Sequence, residues 1–143
     1  MIALLSVLLA QSTVPSRLVH DGGVCAGLSW IRLVPSEQAV EELGPDFSVY
    51  RFNGPAGEDD HWWGVYSGRY AQAKAAGPKL IERDGVTIRR AVENGKFNGY
   101  LAERDGRQNH FFGSVFNDSP TDLNFFARID FGTTGQALCV KAG

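Results

Sequence analysis

Three dipeptides, Asp84-Gly85, Asn94-Gly95 and Asp105-Gly106, recur ten and eleven residues apart and constrain the middle of this chain more tightly than any other pattern in it. A two-residue type I′ hairpin turn needs positive φ at both central positions, and Asn or Asp followed by Gly meets that need with little strain. The intervening segments, Lys79 to Arg83, Val86 to Glu93, Lys96 to Arg104 and Arg107 to Phe116, have the length of strands. Val86, Ile88 and Val92 alternate with Thr87, Arg89 and Ala91, as a strand with one buried face requires. The expectation is a four-stranded antiparallel meander.

The rest of the chain is read around it. Leu28 to Val34 reads as a short strand stopped by Pro35. Ser36 then caps a brief helix through Leu43, with Glu37 in its first turn, Val40 and Leu43 inward and Gly44 after its end. Phe47 to Phe52 is a second strand, followed by a loop from Asn53 to Asp60 that ends in Glu58, Asp59 and Asp60. His61 to Tyr70 holds four aromatics, Trp62, Trp63, Tyr66 and Tyr70, with bulk on both faces, and so predicts a strand at the centre of a sheet. Ala71 to Ala76 is compatible with a helix that Gly77-Pro78 ends. Ser119, Pro120 and Asp122 form a helix start, which favours a helix over Leu123 to Phe131. The alternation of Leu123, Phe125, Ala127, Ile129 and Phe131 also fits a strand. Ala137 to Val140 reads as a last edge strand carrying Cys139. The fold class is therefore α+β: a mainly antiparallel sheet containing the four-stranded meander, with short helices packed on one face.

Ile2 to Ala10 is apolar except at Ser6 and precedes a small-x-small site, the form of a signal peptide over residues 1–12, although no Lys or Arg stands before the run. The alternative is an apolar first strand. On the first reading, residues 13–143 form one exported domain, periplasmic or secreted. Cys25 and Cys139 suit a disulfide closing nearly the whole domain; two unrelated buried thiols are the alternative. Gly22-Gly23-Val24 before Cys25 is not a lipobox, and no apolar run is long enough to span a bilayer, so no membrane anchor is expected after cleavage. A net charge of −2 gives no basic excess for a nucleic-acid partner.

Catalytic patterns are weak. Ser67-Gly68 lacks the G-x-S-x-G elbow, and nothing brings His20, His61 or His110 to Ser67. Asp59, Asp60 and His61 are possible metal ligands, but neighbours on a strand point to opposite faces. Glu93 and Glu103 flank one hairpin and read as exposed strand-end charges rather than a glycosidase pair. No Gly-rich nucleotide loop is present, so no cofactor and no metal is expected. What remains is non-catalytic recognition of a protein partner, or of a small ligand in an aromatic-lined groove. The best candidate surface comprises Trp63, Ser67, Gly68, Arg69 and Tyr70: Arg and Tyr combine contact area with fixed donors.

Ser67-Gly68-Arg69-Tyr70 resembles the S-G-(x)-x-Y loop of bacterial periplasmic lysozyme inhibitors, which are small exported β-rich proteins. In those families the loop enters the lysozyme cleft, and its serine and neighbouring polar groups engage the catalytic carboxylates. The resemblance implies that Ser67 and Tyr70 occupy motif positions and that Arg69 fills the variable place with a charge suited to carboxylates. It is confined to these four residues.

Overall fold

The computed structural model describes residues 16–19, 22–53 and 62–142. The expected signal peptide at 1–12, His20, the acidic loop at 58–60 and His61 lie outside the described residues. In chain order the strands are β1 (Ser16–Val19), β2 (Gly23–Ala26), β3 (Ser29–Arg32), β4 (Gln38–Leu43), β5 (Ser48–Asn53), β6 (Trp62–Gly68), β7 (Lys74–Arg83), β8 (Val86–Glu93), β9 (Lys96–Arg104), β10 (Arg107–Gly113) and β11 (Ile129–Asp130). A 3₁₀ helix, Pro120–Arg128, precedes β11, and α1 (Thr133–Ala142) follows it.

These strands form two antiparallel sheets. The larger has eight strands in the order β1-β4-β5-β6-β10-β9-β8-β7, and the smaller three in the order β11-β3-β2. All three Asx-Gly turns have positive φ at both central residues: 55° and 77° at Asp84-Gly85, 52° and 76° at Asn94-Gly95, and 51° and 74° at Asp105-Gly106. β6 lies inside the sheet between β5 and β10, where its bulk on both faces is used.

One row of partners crosses the inner face: Tyr50, Val65, Phe111 and Tyr100, four buried side chains on four neighbouring strands. The small sheet adds Val24, Ala26 and Ile31 to this core, and the 3₁₀ helix adds Phe126. Tyr100, Phe111 and Phe116 meet Phe126 with ring centroids 5.2–6.5 Å apart, mostly edge to face. On the opposite face Ala71, Ala73, Ala91 and Leu101 form a second, smaller cluster.

Four expectations are corrected. Ser36 to Leu43 is not a helix. Ser36 takes φ 67° in a turn closed by the Glu37 N–H on the Val34 carbonyl, and the chain then runs extended as β4. Its core-facing residues are Ala39 and Glu41, two apart, and the Tyr50 hydroxyl donates to Glu41 at 2.8 Å; Leu43 shares their face but is 45% exposed beyond the core, and Val40 is on the opposite face. Ala71 to Ala76 is no helix either, because Lys74 begins β7. Gly77, at φ 77°, and Pro78 sit in an irregularity inside that strand, tolerated because β7 is the last strand of the sheet, with one side unpaired among the described residues.

In β8 the pairing slips between Arg90 and Val92, so Ala91 is fully buried on the outer face and Val92 is not part of a continuous inner row. Ala137 to Val140 lies in α1 rather than an edge strand. The helix begins just after Gly132, whose N–H donates to Asp130 Oδ1 at 2.8 Å, and Gln136 closes its first turn on the Gly132 carbonyl. For Leu123 to Phe131, both alternatives are partly realised. The capping residues start a 3₁₀ helix, which ends at Arg128, and Ile129 resumes an extended path.

The sulfurs of Cys25 and Cys139 are bonded, with Cα atoms 5.2 Å apart, tying α1 to the small sheet. Among the described residues no helix is long and apolar enough to cross a membrane.

Candidate functional site

Four chain segments meet at one end of the β6–β10 pair and enclose a groove of about 590 Å³. β6 contributes Ser67 and Gly68, and the chain leaving it contributes Arg69 and Tyr70. Opposite them stand Arg107, Gln108 and Asn109 at the start of β10. The β4–β5 turn supplies Leu43 to Ser48, closed by the Gly44 N–H on the Phe47 carbonyl at 2.8 Å. The β2–β3 turn supplies Gly27 and Leu28. Gln108 Oε1 accepts from the Ala71 N–H at 3.3 Å, which holds the segment just after Tyr70 against β10.

The inner wall of the groove is polar and fixed. Asn109 pairs with Ser67 across the two strands and is fully buried. Its Nδ2 donates to the Ala26 carbonyl at 2.7 Å and to Ser29 Oγ at 2.9 Å. A carbonyl oxygen only accepts, so the amide has one possible orientation and Oδ1 is the atom left over. Oδ1 is buried without a hydrogen-bond partner. Gly27, at φ 51°, faces the same spot: a Cβ there would overlap Ser67 Oγ and lie 3.0 Å from Asn109 Oδ1. Only glycine keeps this approach open.

The mouth is charged and apolar by turns. Arg69 and Arg107 are both exposed, and neither forms an ion pair among the described residues, whereas Arg51, Arg90 and Arg128 each hold a carboxylate. Among the described residues, Asp46 is the one acidic residue lining the groove. Leu43, Phe47 and Tyr70 expose 45%, 37% and 76% of their surface, an apolar rim unlike the well-covered core.

Ser67, Gly68, Arg69 and Tyr70 thus come together around one groove, and Trp63 does not join them. Four residues along the strand, roughly 13 Å away, Trp63 is 2% exposed and stacked on Phe52 at 3.6 Å. Its indole N–H donates to Glu37 at 3.0 Å, Glu37 pairs with Arg128, and that guanidinium lies 5.2 Å from the indole ring centre. Trp63 is a core residue because all of its faces and its polar edge are occupied. Asn109, Arg107 and Gly27 were not anticipated. The available signal was an Asn on an inward-facing strand position, which has to find partners wherever it is buried.

A second depression of about 570 Å³ lies on the outer face, lined in part by Tyr66, His110, Phe112 and Glu93, and shares Asp46, Phe47 and Tyr70 with the first. His110 pairs with Tyr66, one register position from the Asn109–Ser67 pair, so its side chain leaves the opposite face of the sheet from Ser67. Its Nε2 lies 2.6 Å from the Asn98 carbonyl, which makes that nitrogen the N–H donor. Burial pushes the His110 pKa below the usual imidazole value, against the opposing pull of Asn98 and Glu93. Ser67 and His110 therefore make no nucleophile–base pair, and the described residues hold no cluster of three metal-ligating side chains. Glu93 and Glu103 have separate partners, accepting from Asn98 at 2.7 Å and from Gln108 at 3.2 Å.

Compared with known proteins, the chain matches no family model, no curated protein and no solved structure.

Proposed function

We propose that this chain is an exported, non-catalytic binding module that grips an anionic group of a partner in the groove at Ser67 to Tyr70, with the meander and the short helices as its rigid support. The observation that carries this reading is the pair Arg69 and Arg107, exposed at the mouth of a groove and without a carboxylate among the described residues. Unpaired guanidiniums beside a hydroxyl and a phenol suit a carboxylate, which accepts two parallel N–H bonds from each. The fixed Asn109 behind Ser67 supports recognition, since a preorganised polar wall lowers the ordering cost of binding. The test is a titration of isotopically labelled full chain with citrate. Saturable amide shifts at Ser67, Gly68, Arg69 and Arg107 are expected, and their loss in the Arg69→Ala, Arg107→Ala double variant. A wild-type spectrum unmoved at those positions rejects the reading.

Lysozyme inhibition is the more specific reading, and the observation favouring it is that Ser67, Arg69 and Tyr70 line the same groove rather than pointing apart. Purified protein titrated against lysozymes of several types should slow the clearing of a cell-wall suspension at micromolar concentration. Arg69→Ala should weaken inhibition about tenfold, or about 1.4 kcal/mol. Absence of inhibition against every type removes this reading and leaves the broader one standing.

A further inference from the structure

We propose that the occupant of this groove is the free C-terminal end of a partner polypeptide, an inference that rests on the anion-binding reading above. In this arrangement the α-carboxylate sits between Arg69 and Arg107, the last amide N–H is received at the Ser67–Asn109 pair, and the last side chain lies on the apolar rim.

The argument starts from what a bare anion leaves undone. A carboxylate, sulfate or phosphate satisfies Arg69 and Arg107 but offers nothing to Asn109 Oδ1, a buried acceptor whose orientation is set by Ala26 and Ser29. An unpartnered buried acceptor is costly, and its complement is a donor. Ser67 Oγ lies at the same spot and lines the groove; a hydroxyl whose proton turns toward Oδ1 presents its oxygen to the groove as an acceptor, so the fitting ligand carries a donor close to its negative charge. A C-terminal residue has this grouping, because its own amide nitrogen is two bonds from the carboxylate carbon. An aspartate or glutamate within a chain holds its carboxylate further from that nitrogen. The last amide N–H of the ligand is then received by Ser67 Oγ at the groove wall and not by the buried Oδ1 itself.

Two further features fit a chain terminus. Among the described residues Asp46 leaves the groove lining with one net positive charge, the complement of a single α-carboxylate. Leu43, Phe47 and Tyr70 offer exposed apolar surface at the mouth, which a sugar phosphate or a mineral anion leaves uncovered and an apolar terminal side chain covers. Capture of a terminal carboxylate by fixed donors is a recurrent mode of peptide recognition.

The test uses the full chain and a fluorescein-labelled tetrapeptide ending in phenylalanine, prepared as the free acid, as the C-terminal amide, and as the acid with the last peptide nitrogen methylated. By fluorescence anisotropy the free acid is expected to bind at least tenfold tighter than the amide and at least fivefold tighter than the methylated acid. Arg107→Ala and Ser67→Ala should each weaken the free acid by fivefold or more while melting temperature and circular dichroism stay at wild-type values. Because the decisive changes are made in the ligand, a variant that fails to fold does not decide the outcome. Equal binding of acid and amide, equal binding of the methylated acid, or no binding of the free acid at millimolar protein overturns the proposal. If the free acid does not bind while citrate still shifts Arg69 and Arg107, the terminal-peptide idea is wrong and the anion-binding reading survives. If citrate is silent as well, both fall together.

Discussion

Asp122 is 6% exposed, yet it collects donors from three directions: the Tyr100 hydroxyl at 2.7 Å, the Asn117 N–H at 3.1 Å and the Ser119 N–H at 3.4 Å. Through these it joins β9, the loop after β10 and the start of the 3₁₀ helix. Burial, and then the bond to Asp122, push the Tyr100 pKa well above that of a free phenol, so the hydroxyl remains a donor at any ordinary pH. Asp122→Ala leaves these donors unpaired in the interior and should cost about 2–4 kcal/mol in chemical denaturation. Tyr100→Phe removes one donor together with its need for a partner and should cost about 1 kcal/mol. If Asp122→Ala proves the milder of the two, the carboxylate is not the organising group. His110 supplies a pH dependence. Its pKa in the folded protein is depressed, chiefly by burial, so the unfolded chain binds the proton more readily. Its contribution to stability is complete above the unfolded value of about 6.5 and is lost as pH falls from there through the folded value. Melting temperature should therefore fall on acidification below about pH 6.5, and His110→Gln should flatten that part of the profile. An unchanged slope in the variant would assign the pH dependence to other groups.

At the scale of single elements, two glycines with nearly the same backbone angle separate strain from space. Gly95 has φ 76° in the β8–β9 turn, and a Cβ there meets nothing within 4 Å. Gly99 has φ 77° within β9, and a Cβ there would overlap the Phe111 carbonyl oxygen on β10. Gly95→Ala should thus cost about 1 kcal/mol from backbone strain alone and lower the melting temperature by about 2–4 °C. Gly99→Ala adds a clash with main chain, which does not yield as a side chain does, and should leave little soluble folded protein. Similar melting temperatures for the two variants would contradict this assignment. The turns were legible in the sequence because Asx-Gly pairs carry their own φ requirement, independent of anything distant. Gly99 was not, because its need comes from a close approach between strands rather than from a turn. The misread elements share a cause. Ser36 to Leu43 has cap-like residues, but Glu37 is drawn inward to Trp63 and Arg128, and Glu41 to Tyr50, and those tertiary bonds outweigh weak local helix preference. At Gly77-Pro78 the breaker residues were read correctly as breakers; their tolerance on an edge depends on strand order, which one sequence does not display.

For the whole molecule, the groove depends on the small sheet staying docked on the large one, and two of the links to that sheet can be cut separately. Asn109 ties the β2–β3 turn to β10 through Ala26 and Ser29, and the disulfide ties Cys25 of β2 to Cys139 of α1. The cysteine pairing was legible from compartment logic and an even count. The groove was only half legible: Ser67 to Tyr70 are contiguous and visible as a cluster, whereas Gly27 and Asn109 reach it through contacts 80 or more residues apart in the chain. The two links predict different consequences when each is cut. The bridged residues are 114 apart, a loop whose closure in the unfolded chain is worth about 4–5 kcal/mol on the chain-entropy account. Reduction should lower the melting temperature by roughly 10 °C, and the non-reduced protein should weigh about 2 Da less than the reduced one. The damage should also be local. α1 meets β2 and β3, and Leu138 on it is 36% exposed, so its amides should lose protection from hydrogen exchange first. Amides of Gly27 to Ser29, held by Asn109, should keep theirs, and the groove should bind its ligand with or without the disulfide. Loss of protection in both segments together on reduction would mean that the covalent link, and not Asn109, holds the groove wall in place.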